Sequence, residues 1–242
     1  MNSKYGDVLT VVLIVIVVAI LGLAAVFGYN VYIEDKRESA TQQALDEFTE
    51  ATNTVIRKVS KTTDNTATSN SVLTEEDQQA MLENLIAQTT PVDVPVEEPQ
   101  EKQEPEKTYL SGYEILGTIE IPKTGIKYPV LAEVTKKSLE TSVAKLYGPG
   151  LNLVGNTVIV GHNYRNKLFF SKNNLLEIGD IVYITDVYGQ KVTYEIYNKY
   201  YTSPNDAEYM VRDTEGRREI SLSTCNDDSS QRLILWAKEV VQ

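Results

Sequence analysis

One cysteine and one histidine are all that the 242 residues contain. A lone cysteine excludes an internal disulfide. One thiol with one imidazole also cannot fill a four-ligand structural zinc site. Any part taken by Cys225 is therefore taken as a single thiol. A basic face is missing too. The formal net charge is −11, unevenly held: residues 34–107 carry 17 acidic and 7 basic side chains, residues 108–242 carry 16 and 15. Neither part has the basic footprint of a nucleic-acid binder, which excludes that class. No internal repeat is present.

What is present first is a run without charge. Residues 8–27, VLTVVLIVIVVAILGLAAVF, match a bilayer core of about 30 Å at 1.5 Å per residue. A cleaved signal usually has a shorter apolar region, so the run predicts a retained transmembrane helix, with residues 1–7 before it. Charge alone leaves orientation open. Lys4 is the only basic side chain before the span, while Lys36 and Arg37 follow it. That mildly favours a cytoplasmic C-terminal part, but large domains cross largely regardless of such a bias.

Residues 28–107 read as an acidic stalk and linker. Ala44, Phe48, Ala51, Val55 and Val59 recur at helical spacing. TEED at 74–77 resembles a capping box before a second helical pattern. Residues 91–107, PVDVPVEEPQEKQEPEK, predict an extended polyproline-like spacer of roughly 50 Å. This reading holds the last domain away from the membrane.

From residue 108 the texture changes to short apolar runs between turns. YEILGTIEIP, IKYPVL, NTVIVGH, REISLSTC and RLILWAKEVV read as strands. IVYITDVYGQKVTYEIYNKYYT reads as a hairpin turning at Tyr188 and Gly189. TKKSLETSVAKLYG predicts a short helix ending at Gly148, and LFFSKNNLLEIGD a short helical or irregular crossover. About eight strands in 108–242 predict a mostly-β domain closed as a mixed eight-stranded barrel with short helices. A span and stalk precede it.

Three side chains in that domain could do chemistry together. Cys225 ends one predicted strand and Arg232 begins the next, across a turn of six residues. His162 ends a third strand. A thiol nucleophile needs thiolate character and a proton-handling partner. A developing oxyanion needs donors aimed at it, and a guanidinium fork can supply them. Cys225, His162 and Arg232 are thus a minimal set for acyl transfer. The plainer reading has Cys225 as a buried small residue, His162 as a satisfied strand end, and Arg232 in an ion pair with Asp227 or Asp228.

The motifs favour the chemical reading. LSTC followed seven residues later by Arg, in CNDDSSQRLILWA, closely resembles the active-site signature of sortases. TVIVGHN resembles their strand–Gly–His element, and LGTIEIPKTGIKYPVL their entry strands. The resemblance covers roughly residues 109–241. It implies a cysteine transpeptidase of Gram-positive cell surfaces, anchored in the membrane, with the catalytic domain outside. Cys225 would attack the Thr carbonyl of a sorting signal similar to Leu-Pro-x-Thr-Gly and form a thioester. His162 would act as acid and then base, and Arg232 would bind the oxyanion or the substrate backbone. Thr224 would contact substrate through its hydroxyl or amide. An amine on a cell-wall precursor or crossbridge would accept the acyl group.

Subclass signals conflict. Ser223 in LSTC resembles class B, whereas the short His162-to-Cys225 spacing resembles classes A, D or E. The lack of a second span after Val241 and of an Asp-Pro lid argues against class C. Calcium, used by some class A members, would fall near Asp206 and Glu208, but two acids more simply make a solvated turn; no cofactor is expected. The rival function is a membrane-tethered, non-enzymatic binding or spacer protein of the cell envelope, with Cys225 inert.

Overall fold

A computed structural model describes residues 3–64, 105–164 and 168–241. Helix α1 (Ser3–Asp64) runs unbroken for 62 residues. No proline interrupts it, and proline is the residue that would break a helix interior. Its apolar part is long enough to cross a membrane, and none of that stretch is buried against the protein. Two turns beyond Arg37 its character changes. Ala44, Leu45, Phe48 and Thr52 fall on one face at helical spacing and are buried.

That face seats on a β-barrel. Strands β1 (Tyr109–Leu110), β2 (Tyr113–Ile121) and β3 (Ile126–Leu131) lead into helix α2 (Lys136–Thr141). Then follow β4 (Val143–Tyr147), β5 (Gly155–Val160), β6 (Ile181–Asp186), β7 (Lys191–Thr202), β8 (Arg218–Cys225) and β9 (Arg232–Glu239). The strands pair in the order β1-β2-β3-β4-β5-β8-β9-β7-β6, and β6 pairs back onto β2. The closed ring therefore has the eight strands expected, with β1 as a short addition on β2. β3 with β4 and β5 with β8 are parallel; the other pairs are antiparallel. Closure removes the open edges that a sheet of this size would otherwise expose.

Alternation along the strands fills the ring. On β6 every second residue, Val182, Ile184 and Asp186, points inward. Ile119, Ile159, Phe170, Leu176, Ile184, Ile196, Ile220, Leu222 and Leu235 meet inside at 1% exposure or less. A second cluster joins α1 to the outside of the ring: Ala44 and Phe48 pack with Leu110, Ile115, Leu131 and Ala144. The β6–β7 hairpin turns at Tyr188 and Gly189 as expected. Gly189 has φ +78°, and a Cβ there would come within 2.7 Å of Ile56 on α1.

One contact is added to the expectations and one expectation changes. Residues 44–52 are helical as predicted, and they dock on the barrel through burial of Phe48 against Ile115 and Leu131. The predicted helix ending at Gly148 stops at Thr141. A capping box between Thr135 and Ser138 starts it, and Val143 and Ala144 are then drawn into the barrel wall as β4. The second helix expected from residue 74 and the Pro/Glu-rich stretch up to 104 lie outside the described residues.

Candidate active site

Two neighbouring strand pairs bring the expected residues to one rim. β8 and β9 are antiparallel, with Cys225 directly opposite Arg232. Directly opposed residues project from the same face with Cβ atoms about 4.5–5.5 Å apart. β5 runs parallel to β8 in the register Val160 with Ser223. The ladder continues one step, as the Gly161 amide donates to the Ser223 carbonyl at 3.2 Å. His162 follows at once, so it leaves β5 beside the end of β8.

Side chains extend this seam beyond the ladder. The Thr224 hydroxyl donates to the Gly161 carbonyl at 2.8 Å. The Asn163 side-chain amide donates to the Cys225 carbonyl at 3.0 Å and to Asp227 Oδ1 at 3.0 Å. Glycine at 161 is a packing requirement, since a Cβ there would lie 2.8 Å from Val143 Cγ1 and 2.9 Å from Phe170 Cδ2. The chain then turns back, with the Phe170 amide donating to the His162 carbonyl at 3.2 Å. The Tyr164 ring lies 4.7 Å from the His162 ring at 33°.

His162 and Cys225 are both half-buried. Burial pushes the His162 imidazole below its ordinary value, and the Glu140 carboxylate on α2 pulls it partly back up. Burial and Glu140 raise the Tyr164 phenol, while Arg37 of α1 lowers it. Helix α1 therefore also contributes to the electrostatics of the histidine arm.

Arg232 is held from the other side. Its Nε donates to the Pro204 carbonyl at 3.1 Å, in the β7–β8 connection. It makes no ion pair among the described residues, so the pairing with Asp227 or Asp228 weighed from the sequence is not formed. Asp228 instead accepts from the Ser230 amide and hydroxyl, which shape the turn and lower its carboxyl.

The β7–β8 connection is fixed by a buried polar cluster. Arg212 pairs with Glu219, which is almost wholly buried. Tyr197 donates to Glu219 at 2.6 Å, and its phenol is pushed up to about 12 by burial and by that bond. Arg212 Nη2 donates to Asn156 Oδ1 at 3.1 Å, and its guanidinium lies 4.7 Å from the Trp236 ring. Tyr209 from the same connection packs on Val158, Val160 and Ile234.

A cleft of about 320 Å³ opens beside the thiol, lined by Cys225, Thr224, Asn163, Tyr201, Asp227 and Gln231 among others. His162 and Arg232 lie outside its lining. The thiol is thus reached from the cleft, with the other two groups flanking it.

Three residues weighed from the sequence are placed as follows. Thr224 lines the cleft at 3% exposure, and its hydroxyl donates to the Gly161 carbonyl. Asp206 and Glu208 lie in the β7–β8 connection. Asp206 accepts from the Thr202 hydroxyl and the Glu208 amide, which closes a turn. Among the described residues no group of three or more His, Cys, Asp or Glu side chains is placed to hold a metal. Sequence reading missed Asn163, Tyr164 and Glu140. Asn163 and Tyr164 follow His162 directly, so proximity was the available signal; nothing in the sequence pointed to Glu140.

A closed mixed barrel with a half-buried thiol at one strand end, an arginine opposite it and a histidine arm stitched alongside has the parts of a thiol acyl-transfer site. The family model described as the Sortase domain matches residues 119–240, and the chain belongs to the sortase family. Sortase A of Bacillus anthracis is 29% identical over 129 residues, covering 52% of this chain and 60% of that protein. The chain thus spans less than two thirds of that relative's length. Among solved structures, a lid mutant of sortase A from Corynebacterium diphtheriae is 26% identical with a TM-score of 0.50, covering 58% of this chain and 74% of that one. Sortase C1 from Streptococcus suis is also 26% identical, with a TM-score of 0.49, covering 54% of this chain and 75% of that one.

Proposed function

We propose that the protein is a membrane-anchored cysteine transpeptidase. It cleaves a sorting signal of the Leu-Pro-x-Thr-Gly kind near the C-terminus of a surface protein. It then joins the new C-terminus to an amine of a cell-wall precursor or crossbridge. The observation that carries this is the cross-strand pair of Cys225 and Arg232, with the His162 arm tied to the same strand end.

In the first half-reaction the Cys225 sulfur, as thiolate, attacks the Thr carbonyl carbon. The carbonyl oxygen becomes an oxyanion, which Arg232 stabilises by charge-assisted hydrogen bonds. His162, as imidazolium, gives its proton to the departing amine as the C–N bond breaks, leaving a thioester. In the second half-reaction neutral His162 takes a proton from the incoming amine. That amine attacks the thioester, and the Cys225 thiolate leaves. These three side chains complete the chemistry, so the reaction draws on no cofactor. Residues 8–27 hold the enzyme in the membrane as a single span, with the barrel on the outer side.

The test is a sorting-peptide library offered to the full-length chain in detergent, with trapping of the acyl adduct by mass spectrometry. An adduct on Cys225 bearing a peptide cut after Thr is expected. A folded protein whose thiol never becomes acylated by any member would overturn the reading in favour of a non-enzymatic envelope protein.

A further inference from the structure

We propose that Asn163 is a positioning residue that fixes the Cys225 strand end against the His162 arm, so that nucleophile and acid–base group act from one rigid frame. The proposal rests on the transpeptidase reading above and concerns a residue that takes no part in its chemical steps. The β5–β8 ladder ends at Gly161 and Ser223. Past this point the two chains part, one into the histidine arm and the other into the turn of residues 226–231. Side chains of the described residues hold them together there. Thr224 supplies one bond, to the Gly161 carbonyl behind His162. Asn163 supplies the bonds in front of it, to the Cys225 carbonyl and to Asp227 Oδ1.

The chemistry of both partners explains why an amide stands at 163. A backbone carbonyl and a carboxylate can only accept. A carboxamide nitrogen carries two hydrogens, and here each has one acceptor. Aspartate has the same shape but offers no donor when ionised, so it would set a carboxylate against Asp227 and the Cys225 carbonyl. Alanine would leave the gap unbridged. The seam then keeps the Thr224 bond but loses both Asn163 bonds, and the histidine arm drifts relative to the thiol. Reactions that depend on such alignment lose about 100-fold for a displacement of about 1 Å.

The experiment compares Asn163→Asp, Asn163→Ala and the double variant Asn163→Asp/Asp227→Asn with the wild type, as full-length protein. Rates of Cys225 acylation and turnover are read beside amide hydrogen exchange across residues 161–164 and 225–231. Asn163→Asp should lower kcat by about 10- to 100-fold with KM within about twofold, and Asn163→Ala should follow it. Both should raise exchange in the two segments together. The double variant restores a donor–acceptor pair between the arm and the turn and should recover part of kcat. If Asn163→Ala fails to fold, Asp227→Ala removes one acceptor only and should give a smaller loss of the same kind. Near-normal kcat and unchanged exchange in isosteric Asn163→Asp would overturn the proposal. A wild type that is never acylated, while the variants still loosen both segments, would remove the transpeptidase reading but leave the seam intact.

Discussion

Cys225 and Arg232 are partners across the β8–β9 ladder, one at the last position of its strand and the other at the first of the next. A six-residue turn joins them, closed by the Asn226 amide donating to the Gln231 carbonyl at 3.0 Å. The thiol and the guanidinium therefore keep their separation as long as two strands of a closed barrel keep their register. A one-residue slip of either strand would leave the two side chains on opposite faces of the sheet. Closure makes that slip expensive, since every other pairing in the ring would have to follow.

The first prediction concerns this pair. Cys225→Ala should abolish acylation by a sorting peptide. Arg232→Ala should lower kcat by about 100- to 1000-fold, the cost of losing an oxyanion donor. Arg232→Lys should recover little, because an ammonium cannot reproduce the planar fork that lets Nε rest on Pro204. Steady-state peptide cleavage measures all three, and near-normal rates in Arg232→Ala would remove its assigned role.

A second prediction follows from Glu140. Its carboxylate favours the charged form of His162, against the larger effect of burial. Glu140→Gln should therefore move the His162 pKa further down and shift the imidazolium-dependent limb of the pH–rate profile to lower pH. Stability has the same sign. Because the folded-state value lies below the ordinary 6.5, the unfolded chain binds the proton more readily in that window. His162 then makes the fold less stable as pH falls from about 6.5 toward the folded-state value. Nuclear magnetic resonance titration of the single histidine checks the shift directly.

Third, Arg212→Met should destabilise the barrel by about 3 kcal/mol, because it leaves the buried Glu219 carboxylate with only the half-exposed Arg217 and the Tyr197 hydroxyl as partners. Arg212→Met with Glu219→Leu should recover much of that loss, since the apolar pair leaves no buried charge. Denaturant titration of the full-length chain in detergent distinguishes the two. Equal stability of the single and double variants would count against the cluster as described.

Fourth, Phe48→Ala should cost about 3–5 kcal/mol, the range for emptying a buried aromatic site. Hydrogen exchange should rise in β1 and β3, which α1 covers. Protection that is unchanged there would mean that the helix does not dock through this face.

Fifth, Gly161→Ala should depress turnover without touching any reacting atom. The added methyl meets Val143 and Phe170, both buried, and the easier motion is for the His162 arm to move. Thioester formation should slow more than peptide binding weakens, read as a fall in kcat at similar KM.

The barrel was legible because its signal is local. Apolar alternation and turn residues define each strand, and YEILGTIEI, GNTVIV and RLILWAKE all became strands. The pairing of Cys225 with Arg232 was legible for a related reason: a short turn between two strands leaves little choice of register. The extent of α2 was not legible, because Val143 and Ala144 suit either state and the neighbouring strand decided it. The docking of α1 was equally hidden, since an apolar helical face at residues 44–52 does not name its partner.

The sequence by itself determined the single thiol, the single imidazole, the apolar span and the order of the strands, because these depend on residue type and near neighbours. Tertiary structure decided what touches what. It turned the Thr224 hydroxyl inward to Gly161, kept Arg232 out of any ion pair among the described residues, and set Asn163 across a gap of 62 residues onto the Cys225 carbonyl. Such contacts arise when a ring closes and brings distant chain segments to one rim, and no local pattern encodes that meeting.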